Sequence, residues 1–386
     1  MTEIRINRRA ADRVKLGHPW IYRSDLMHAG GAAPGQVVRV LDGRNNVLGA
    51  AHYSSSSQIA LRMLPREVAQ TDTAFFRRLI KRAQKYRDQV VHDTTAYRLI
   101  HAEADLLPAL IIDRYGDYFA IQTLDQGMDA SKAAVIAALQ EVYSPKGIVE
   151  RNDVAVRVKE ELPRQSGVVA GEIPPSVEVK MNGLRFEVDL LGGQKTGLFL
   201  DQRENYRAAR EYARGTALDC FTYSGAFALH LAQACERVDA VDSSAPSLDH
   251  ARHNAKRNGI GDIEFIEADV FALLQQYASA QRHYETIVLD PPAFAKSRQH
   301  LEAAARGYTE INLKALRLLE RDGILITCSC SHHFTEADLL EAVAAASLDA
   351  GRTLRVLERR TQAKDHPILL TVPETHYLKC LVLQVV

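Results

Sequence analysis

The sequence has 386 residues, 46% hydrophobic and 25% charged, which predicts a globular protein of two or three domains. No apolar run approaches the length of a membrane span, and the first residues lack a signal-peptide pattern. Five cysteines without tight spacing fit a reducing cytoplasm better than a disulfide framework. No set of Cys and His has zinc-ligand spacing. We therefore expect a cytoplasmic protein that neither binds a metal nor contacts a membrane.

The net charge of zero hides an asymmetry between the start and the rest of the chain. Residues 1–98 contain 17 Lys and Arg against 8 Asp and Glu, a balance of +9, so the remainder carries −9. A basic first quarter suggests a module that binds a polyanion. A solvated charged surface would have the same composition, and charge alone does not separate the two interpretations.

The first part of the chain predicts a small β-rich module followed by a helix. Residues 1–64 have the pattern of short strands with Gly and Asn turns, typical of a β-barrel or sandwich. After Pro65, apolar residues at helical spacing predict a helix from about Thr73 to Val90. Its other face is basic, which suits phosphate contact or simple solvation: Arg77, Arg78, Lys81, Arg82, Lys85 and Arg87.

Residues 97–190 alternate strand and helix and predict a small central α+β domain. Asn182-Gly183 between two alternating segments is a strong hairpin signal. The predicted strands are 109–112, 118–122, 147–150, 177–181 and 184–188, and the predicted helix is 131–143.

From about residue 200 strands and helices alternate, which predicts a parallel sheet with helices on both faces. The predicted domain limits are 1–70, 71–175 and 176–386. The predicted strands are 216–221, 238–242, 263–266, 286–289, 323–327, 353–358 and 377–385. The predicted helices are 201–213, 225–235, 246–258, 271–278 and 302–320.

Four successive strands end with an acidic residue: Asp219, Asp242, Asp269 and Asp290. Ligands of open parallel sheets bind outside the carboxyl ends of the strands, so these residues predict a carboxylate-rich rim there. A dinucleotide site would need Gly-x-Gly-x-x-Gly, of which only Gly225 is present. A cofactor that combines a nucleoside with a cation, such as S-adenosylmethionine, fits better. Helix capping is the alternative role for any single Asp.

A thiol follows the end of another buried strand. Residues 324–333 run from apolar residues into Cys328-Ser329-Cys330-Ser331, about 40 residues after Asp290-Pro291-Pro292. A thiol at the ligand-binding edge can act as a nucleophile. The alternative for Cys330 is a small buried hydrophobic residue.

Several motifs together resemble those of class I S-adenosylmethionine-dependent RNA methyltransferases. The resemblance is to the bacterial 23S ribosomal RNA cytosine-C5 methyltransferase family with an N-terminal PUA domain. Ala226 departs from the pattern, because related enzymes usually carry a second glycine there; alanine is small, and we expect cofactor binding to survive. The motifs are residues 17–22 and 57–62 for the PUA domain, 101–123 for the central domain, and 193–203, 219–227, 241–242, 269–270, 289–292 and 329–331 for the methyltransferase domain.

The resemblance implies a Rossmann-like class I methyltransferase domain with a mostly parallel seven-stranded sheet, an N-terminal PUA-like β-barrel and a small central α+β domain. It implies ribosomal RNA as partner and leaves a homodimer open. Cys330 would attack cytosine C6 and Asp290 would hydrogen-bond the base, while His332 and His333 are alternatives for the proton acceptor. The implied S-adenosylmethionine-binding residues are Gln202, Asp219, Phe221, Tyr223, Ser224, Gly225, Asp242, Ser243, Asp269, Val270 and Asp290. The predicted RNA-binding residues are Arg13, Lys15, Trp20, Lys195 and Lys296.

Two other functions are compatible with the sequence. Residues 290–294, Asp-Pro-Pro-Ala-Phe, resemble the turn of methyltransferases that act on an exocyclic amine of guanine or adenine and need no cysteine. A non-catalytic RNA-binding assembly factor is the third hypothesis.

Overall fold

The computed structural model describes residues 1–28, 31–65, 70–193, 197–294 and 300–386. They form two compact units. The first unit contains residues 1–180, 187–200 and 364–375, and the second contains residues 181–186, 201–363 and 376–386. The domain limits near 70 and 175 stay a prediction.

The first unit opens with a six-stranded sheet. The sequence predicted only strands and turns here, but a helix, α1 (Arg8–Lys15), follows the first strand and begins at Asn7, whose side chain accepts from Ala10 N at 2.8 Å. The helix is short and mostly charged, so its pattern was too weak to predict it. The strands are β1 (Glu3–Ile6), β2 (Trp20–Tyr22), β3 (Leu26–His28), β4 (Val37–Leu41), β5 (Val47–Tyr53) and β6 (Ile59–Met63), in the order β2-β6-β5-β4-β1-β3.

A five-stranded sheet follows in the same unit. The predicted helix over 73–90 is confirmed as α2 (Thr73–Val90), which begins at Asp72 and packs Phe76, Ile80 and Ala83 into the core. Strands β7 and β11 were not predicted. The strands are β7 (Ala96–His101), β8 (Leu110–Tyr115), β9 (Tyr118–Thr123), β10 (Gly147–Asn152) and β11 (Gln165–Gly171), in the order β11-β10-β9-β8-β7. The further helices are α3 (Gln126–Ala130), α4 (Lys132–Tyr143) and α5 (Val156–Lys159).

One residue assigned to the basic face of α2 is instead buried. Arg87 is 1% exposed, forms an ion pair with Asp105 and donates to the carbonyl of Arg98 at 2.9 Å. A buried guanidinium is tolerated because these oxygens satisfy its donors. Phosphate contact by Arg87 is therefore corrected to a structural role.

The predicted hairpin is confirmed as β12 (Val177–Met181) and β13 (Leu184–Val188), with Asn182 at φ 52° and Gly183 at φ 81° in the turn. Two central residues with positive φ are typical of the tight turns that join such strands. Residues 181–186 of the hairpin belong to the second unit, and its other residues belong to the first.

The second unit contains the predicted seven-stranded, mostly parallel sheet. Its order is β16-β15-β14-β17-β18-β20-β19, and only the pairings of β20 with β18 and β19 are antiparallel. The strands are β14 (Thr216–Cys220), β15 (Arg237–Asp242), β16 (Ile263–Glu267), β17 (Tyr284–Leu289), β18 (Leu319–Ser329), β19 (Leu354–Thr361) and β20 (Lys379–Val385). The helices are α6 (Arg203–Tyr212), α7 (Ala226–Leu231), α8 (Ala245–Arg257), α9 (Val270–Ser279), α10 (Leu301–Leu318) and α11 (Glu336–Asp349).

The strand order fixes where a ligand can bind in this sheet. The chain moves outward from β14 through β15 to β16, and then returns to the other side of β14 with β17 and β18. Such a reversal opens a crevice at the carboxyl ends of the strands on either side of it. The crevice therefore lies between β14 and β17. None of the helices within the described ranges is long and apolar enough to cross a lipid bilayer.

Candidate functional site

The parallel strands end in register at the crevice. Cys220 of β14 pairs with Val241 of β15 on one side and with Leu289 of β17 on the other. Asp242 and Asp290 are the next residues along their strands. The sheet thus brings these two carboxylates to the edge where Asp219 lies.

Asp219 is fully buried at the centre of this edge. Its Oδ2 accepts from Thr222 Oγ1 at 2.6 Å, whereas its Oδ1 makes no hydrogen bond of normal geometry within the described residues. Burial raises the pKa of Asp219 to about 7, and repulsion from Asp290 and Asp242 adds to the rise. The carboxylates are therefore close enough to repel one another, and the site is electrostatically suited to a cationic ligand.

Asp242 holds the loop that follows β14. Its carboxylate accepts from the backbone N–H of Tyr223 at 2.9 Å and from that of Ser244 at 2.9 Å. The carboxylate therefore fixes the loop next to the end of β15.

The loop over residues 221–225 adopts an unusual backbone. Phe221, Tyr223 and Gly225 all lie in the left-handed region, with φ of 66°, 49° and 82°. For a non-glycine residue this conformation costs about 1–3 kcal/mol, and it is concentrated at ligand clamps and active sites. The loop is held by a hydrogen bond of 2.9 Å from Thr222 N to Val241 O and one of 3.2 Å from Asn254 Nδ2 to Ser224 O.

Gly225 is required by both conformation and space. It precedes α7, and a Cβ atom there would lie 2.8 Å from Leu229 Cδ1 and 3.0 Å from Ala251 Cβ. Gly225 itself therefore lies directly against Ala251 of α8. This close approach places the N-terminal end of α7 at the carboxyl edge, where the sequence predicted the cofactor.

The remaining predicted cofactor residues have varied surroundings. Asp269 is exposed and accepts from Ala272 N at 2.9 Å, so it caps α9, as the alternative interpretation allowed. Val270 is buried in the core of the second unit, Ser243 is exposed, and Gln202 is buried with its Oε1 accepting from Asn205 Nδ2 at 2.7 Å. Their contact with a cofactor stays a prediction.

The cysteines differ sharply in their environment. Cys328 is fully buried opposite Cys380 of β20, and its pKa is raised well above the ordinary value by that neighbour and by burial. Cys220 is also buried with a raised pKa, and burial raises the pKa of Cys235 to about 11. Cys330 follows the end of β18 and is partly exposed. Among these cysteines, Cys330 is therefore the partly exposed one at the carboxyl edge.

Two further residues lie at this site and were not predicted from the sequence. Tyr206 of α6 is buried, and burial, with repulsion from Asp290 and Asp201, raises its pKa well above the ordinary value. Lys379, the first residue of β20, is 2% exposed and donates to the carbonyl of Ser331 at 2.6 Å. A lysine before the apolar run 380–383 was visible in the sequence, but its position beside Cys330 depends on an antiparallel register that no local pattern encodes.

The first unit contains a separate cavity of about 860 Å³. Leu48, Met63 and Leu79 provide an apolar lining, and Arg78 and Arg82 of α2 provide exposed cations. An apolar lining beside exposed cations suits a polyanion that also presents flat apolar groups.

The predicted RNA-binding residues of the first unit are partly engaged in its own structure. Arg13 forms an ion pair with Asp25 at 2.6 Å, and Trp20 Nε1 donates to Glu103 at 2.9 Å. Lys15 lines the cavity, and its Nζ lies 3.6 Å from an Asp42 carboxylate oxygen. RNA contact by these residues stays a prediction. Lys195 and Lys296 lie outside the described residues.

Comparison with known families matches both parts of the chain. A PUA-like domain model matches residues 4–66, and the model described as S-adenosylmethionine-dependent methyltransferase matches residues 161–382. The chain therefore belongs to the S-adenosylmethionine-dependent methyltransferase family. The predicted fold class, cofactor and PUA-like domain are thereby confirmed.

Similar proteins extend over nearly the whole chain. Ribosomal RNA large subunit methyltransferase I of Tolumonas auensis is 41% identical and covers 96% of both chains. The Klebsiella pneumoniae protein of the same name is 40% identical over 94% of this chain and 93% of its own.

Solved structures share the fold. A proposed S-adenosylmethionine-dependent methyltransferase from Streptococcus mutans covers 100% of both chains with a TM-score of 0.85 at 21% identity. A second structure, of a proposed methyltransferase complexed with SAH, has a TM-score of 0.86 at 21% identity.

The pKa of Asp219 predicts a pH-dependent stability. Between about pH 4 and pH 7 the folded chain keeps a proton on Asp219 that the unfolded chain has lost, so the free energy of unfolding falls as pH rises, by at most about 1.4 kcal/mol per pH unit. Asp219→Asn should remove this contribution, as measured by urea unfolding at several pH values. Asp249→Asn, at an exposed position, is the control and should keep the wild-type slope. An unchanged slope in Asp219→Asn would contradict the assignment.

Gly225→Ala should destabilise the second unit more than Gly259→Ala does. Both glycines have positive φ, but an added Cβ at Gly259 meets nothing within 4 Å among the described residues. Gly259→Ala should therefore cost about 1 kcal/mol for backbone strain alone. Gly225→Ala adds the contacts with Leu229 and Ala251 and should also weaken binding of S-adenosylmethionine. Chemical unfolding and calorimetry measure both effects, and equal losses in the two variants would show that the close packing at Gly225 is unimportant.

Proposed function

We propose that this protein methylates C5 of a cytosine in large-subunit ribosomal RNA through a covalent adduct at Cys330. The observation that carries the proposal is the position of a partly exposed thiol at the sheet edge that holds the carboxylate cluster. Two relatives over 90% of the chain bear the name ribosomal RNA large subunit methyltransferase I, which supports ribosomal RNA as the substrate.

The Cys330 thiol would make C5 of cytosine nucleophilic enough to be methylated. Carbon 5 of cytosine is a weak nucleophile, and addition of the Cys330 thiolate to C6 converts it into an enamine carbon. S-adenosylmethionine, when bound, supplies an electrophilic methyl group on a sulfonium. After C5 is methylated, loss of its proton and cleavage of the C6–S bond restore the aromatic base and the thiolate. His332 and His333 are exposed beside Cys330, and we assign the proton acceptor to neither.

Asp290 is proposed to orient the base. It follows β17, the strand that pairs with β18 through Leu289 and Thr327, so it leaves the sheet beside the segment that carries Cys330. Its charge also contributes to the raised pKa of Cys328. A carboxylate at this position can accept a hydrogen bond from the exocyclic amine or from a protonated N3 of cytosine.

The cofactor is proposed to lie on the other side of the crevice. Asp219, Asp242 and the loop over 221–225 form a negatively charged cradle with an unsatisfied carboxylate oxygen. A carboxylate can accept hydrogen bonds from ribose hydroxyls, and like charges that repel one another favour a cationic ligand.

The first unit is proposed to hold RNA by charge. The target base must leave its stack before an enzyme can reach it, so the protein has to bind the flanking strand as well. Arg78 and Arg82 are exposed cations at one cavity, and Lys15 lies at the same cavity.

Trapping on RNA that contains 5-fluorocytosine tests the thiol. Fluorine replaces the proton that must leave, so wild type with S-adenosylmethionine should form a complex with RNA that survives denaturing electrophoresis. Cys330→Ala should form none and lose methylation by at least 10³-fold, whereas Cys235→Ala should retain both.

The same variants separate the alternatives. An active Cys330→Ala would favour methylation of an exocyclic amine. Absence of S-adenosylmethionine binding by calorimetry in the wild-type protein would favour a non-catalytic assembly factor.

Replacement of the cavity cations tests the RNA surface. Arg78→Gln and Arg82→Gln should each weaken binding of a large-subunit RNA fragment and lower the slope of log K against log salt by about 0.7–0.9. Arg77→Gln is the matched control on the same helix, because Arg77 pairs with Glu141 at 2.8 Å. Equal slopes in all three variants and wild type would exclude phosphate contact at this cavity.

A further inference from the structure

A buried lysine lies beside the segment that carries Cys330. Lys379 begins β20 opposite Ser329 of β18, and only 2% of its surface is exposed. Its Nζ donates to the carbonyl oxygens of Ser331 at 2.6 Å and Tyr377 at 2.9 Å. The ammonium group is thus hydrogen-bonded to Ser331, the residue directly after Cys330.

Burial of this ammonium group needs compensation. Among the described residues the hydrogen-bond partners of Lys379 are the uncharged carbonyl groups of Ser331 and Tyr377, and a buried cation without a paired negative charge is costly. Burial lowers the pKa of Lys379 to about 8, while Cys330 and Asp338 act in the opposite direction. The lysine is therefore still mostly protonated at pH 7. Of the two groups that raise its pKa, Cys330 has the larger effect.

Among the other ionisable groups around Lys379, Asp338 favours its charge less than Cys330 does. Asp338 of α11 already accepts from the backbone and hydroxyl of Thr335 in a capping box. Tyr308 of α10 lies 3.2 Å from Ser331 Oγ, and burial, with a smaller effect of Cys330, raises its pKa. His332 is exposed and contacts the ring of Tyr377, while Cys328 and Cys380 form a buried thiol pair.

We propose that Lys379 positions and activates Cys330, its hydrogen bond to the carbonyl of Ser331 fixing the segment after β18 and its positive charge stabilising the thiolate. The proposal rests on the proposed role of Cys330 as nucleophile. Lys379 is a positioning residue that acts through the thiol. The thiol proton leaves to solvent, and Lys379 keeps its own proton throughout.

A cation beside a thiol increases the fraction of thiolate at neutral pH, which is how reactive cysteines are generally activated. The effect is largest where water is excluded, because charges are screened less in the interior. Lys379 combines both conditions, since its side chain is buried and its shorter hydrogen bond is to the carbonyl of Ser331, the residue after Cys330.

The rate of Cys330 alkylation by iodoacetamide as a function of pH tests the proposal. Peptide mass spectrometry resolves Cys330 from the other cysteines, and neither RNA nor cofactor is needed. In the wild-type protein the midpoint should lie below about 8.5, the value of an ordinary cysteine. A wild-type midpoint at or above 8.5 would overturn the proposal without any variant.

Three substitutions then separate charge from position. Lys379→Gln keeps hydrogen-bond donors without charge, Lys379→Met removes both, and Lys379→Arg keeps the charge. Gln and Met should raise the midpoint by about one pH unit and slow alkylation at pH 7 about tenfold. Arg should recover at least half of that loss. Lys314→Met, at a half-buried lysine on α10 that pairs with Glu310 at 3.0 Å, is the matched control and should resemble wild type.

The pH profile distinguishes activation from a structural role. Loss of the charge should lower kcat for methylation at pH 7, leave the KM for RNA unchanged and recover activity as pH rises towards 9. A rate loss that is equal at all pH values, with unchanged alkylation midpoints, would show that Lys379 only supports the fold. The two experiments can also give different answers. If no adduct forms with 5-fluorocytosine RNA but the pH midpoint of Cys330 alkylation is low and depends on Lys379, the C5 chemistry is rejected and the Lys379 inference is retained.

Discussion

Repulsion between carboxylates at one edge of the seven-stranded sheet is the constraint on which the rest of the site depends. Parallel strands in register must bring their final residues together, and here Asp219 lies near the end of β14 and Asp290 directly follows the neighbouring strand β17. Asp219 has no room to move into solvent, so its charge is disfavoured. The carboxylate of Asp242 accepts hydrogen bonds from two backbone N–H groups. One of them belongs to the loop over 221–225, which has three residues in the left-handed region. Because its pKa is raised to about 7, Asp219 is partly protonated at neutral pH. A bound cation would favour its ionised form.

The neighbouring strand pair has the opposite electrostatic character. Between β18 and β20 the fold buries Lys379 without a paired carboxylate among the described residues, next to the segment with Cys330. A thiolate needs a positive environment, whereas a sulfonium cofactor needs a negative one. The second unit has both kinds of environment at the ends of adjacent strands, which is the arrangement that the proposed transfer from the cofactor to a covalently held base requires.

The sequence predicted the architecture well because its periodic patterns are strong and local. Alternating strands and helices after residue 200, the helix α2 and the hairpin at Asn182-Gly183 all follow from period and turn chemistry. The helices α1, α3, α5 and α11 and the strands β7 and β11 were not predicted. Three of these helices are short and β11 is half-exposed, so their patterns are weak.

For the site, the sequence predicted which strand ends lie together but not the contacts that their side chains make. Asp219, Asp242 and Asp290 converge as expected, because parallel register follows from alternation alone. The roles of Arg87 and Lys379 could not be deduced, since each depends on partners distant in sequence. Asp269 looks the same as the other three in the sequence, and its exposure at the start of α9 distinguishes it in the structure.

The position of the transferred methyl group tests the central claim most directly. Large-subunit RNA should be incubated with the wild-type protein and S-adenosylmethionine that carries a trideuterated methyl group, then digested to nucleosides for mass spectrometry. The account predicts that the label appears in 5-methylcytidine, with loss of one proton from C5. Label on an exocyclic amine of guanosine or adenosine, with none in 5-methylcytidine, would contradict it.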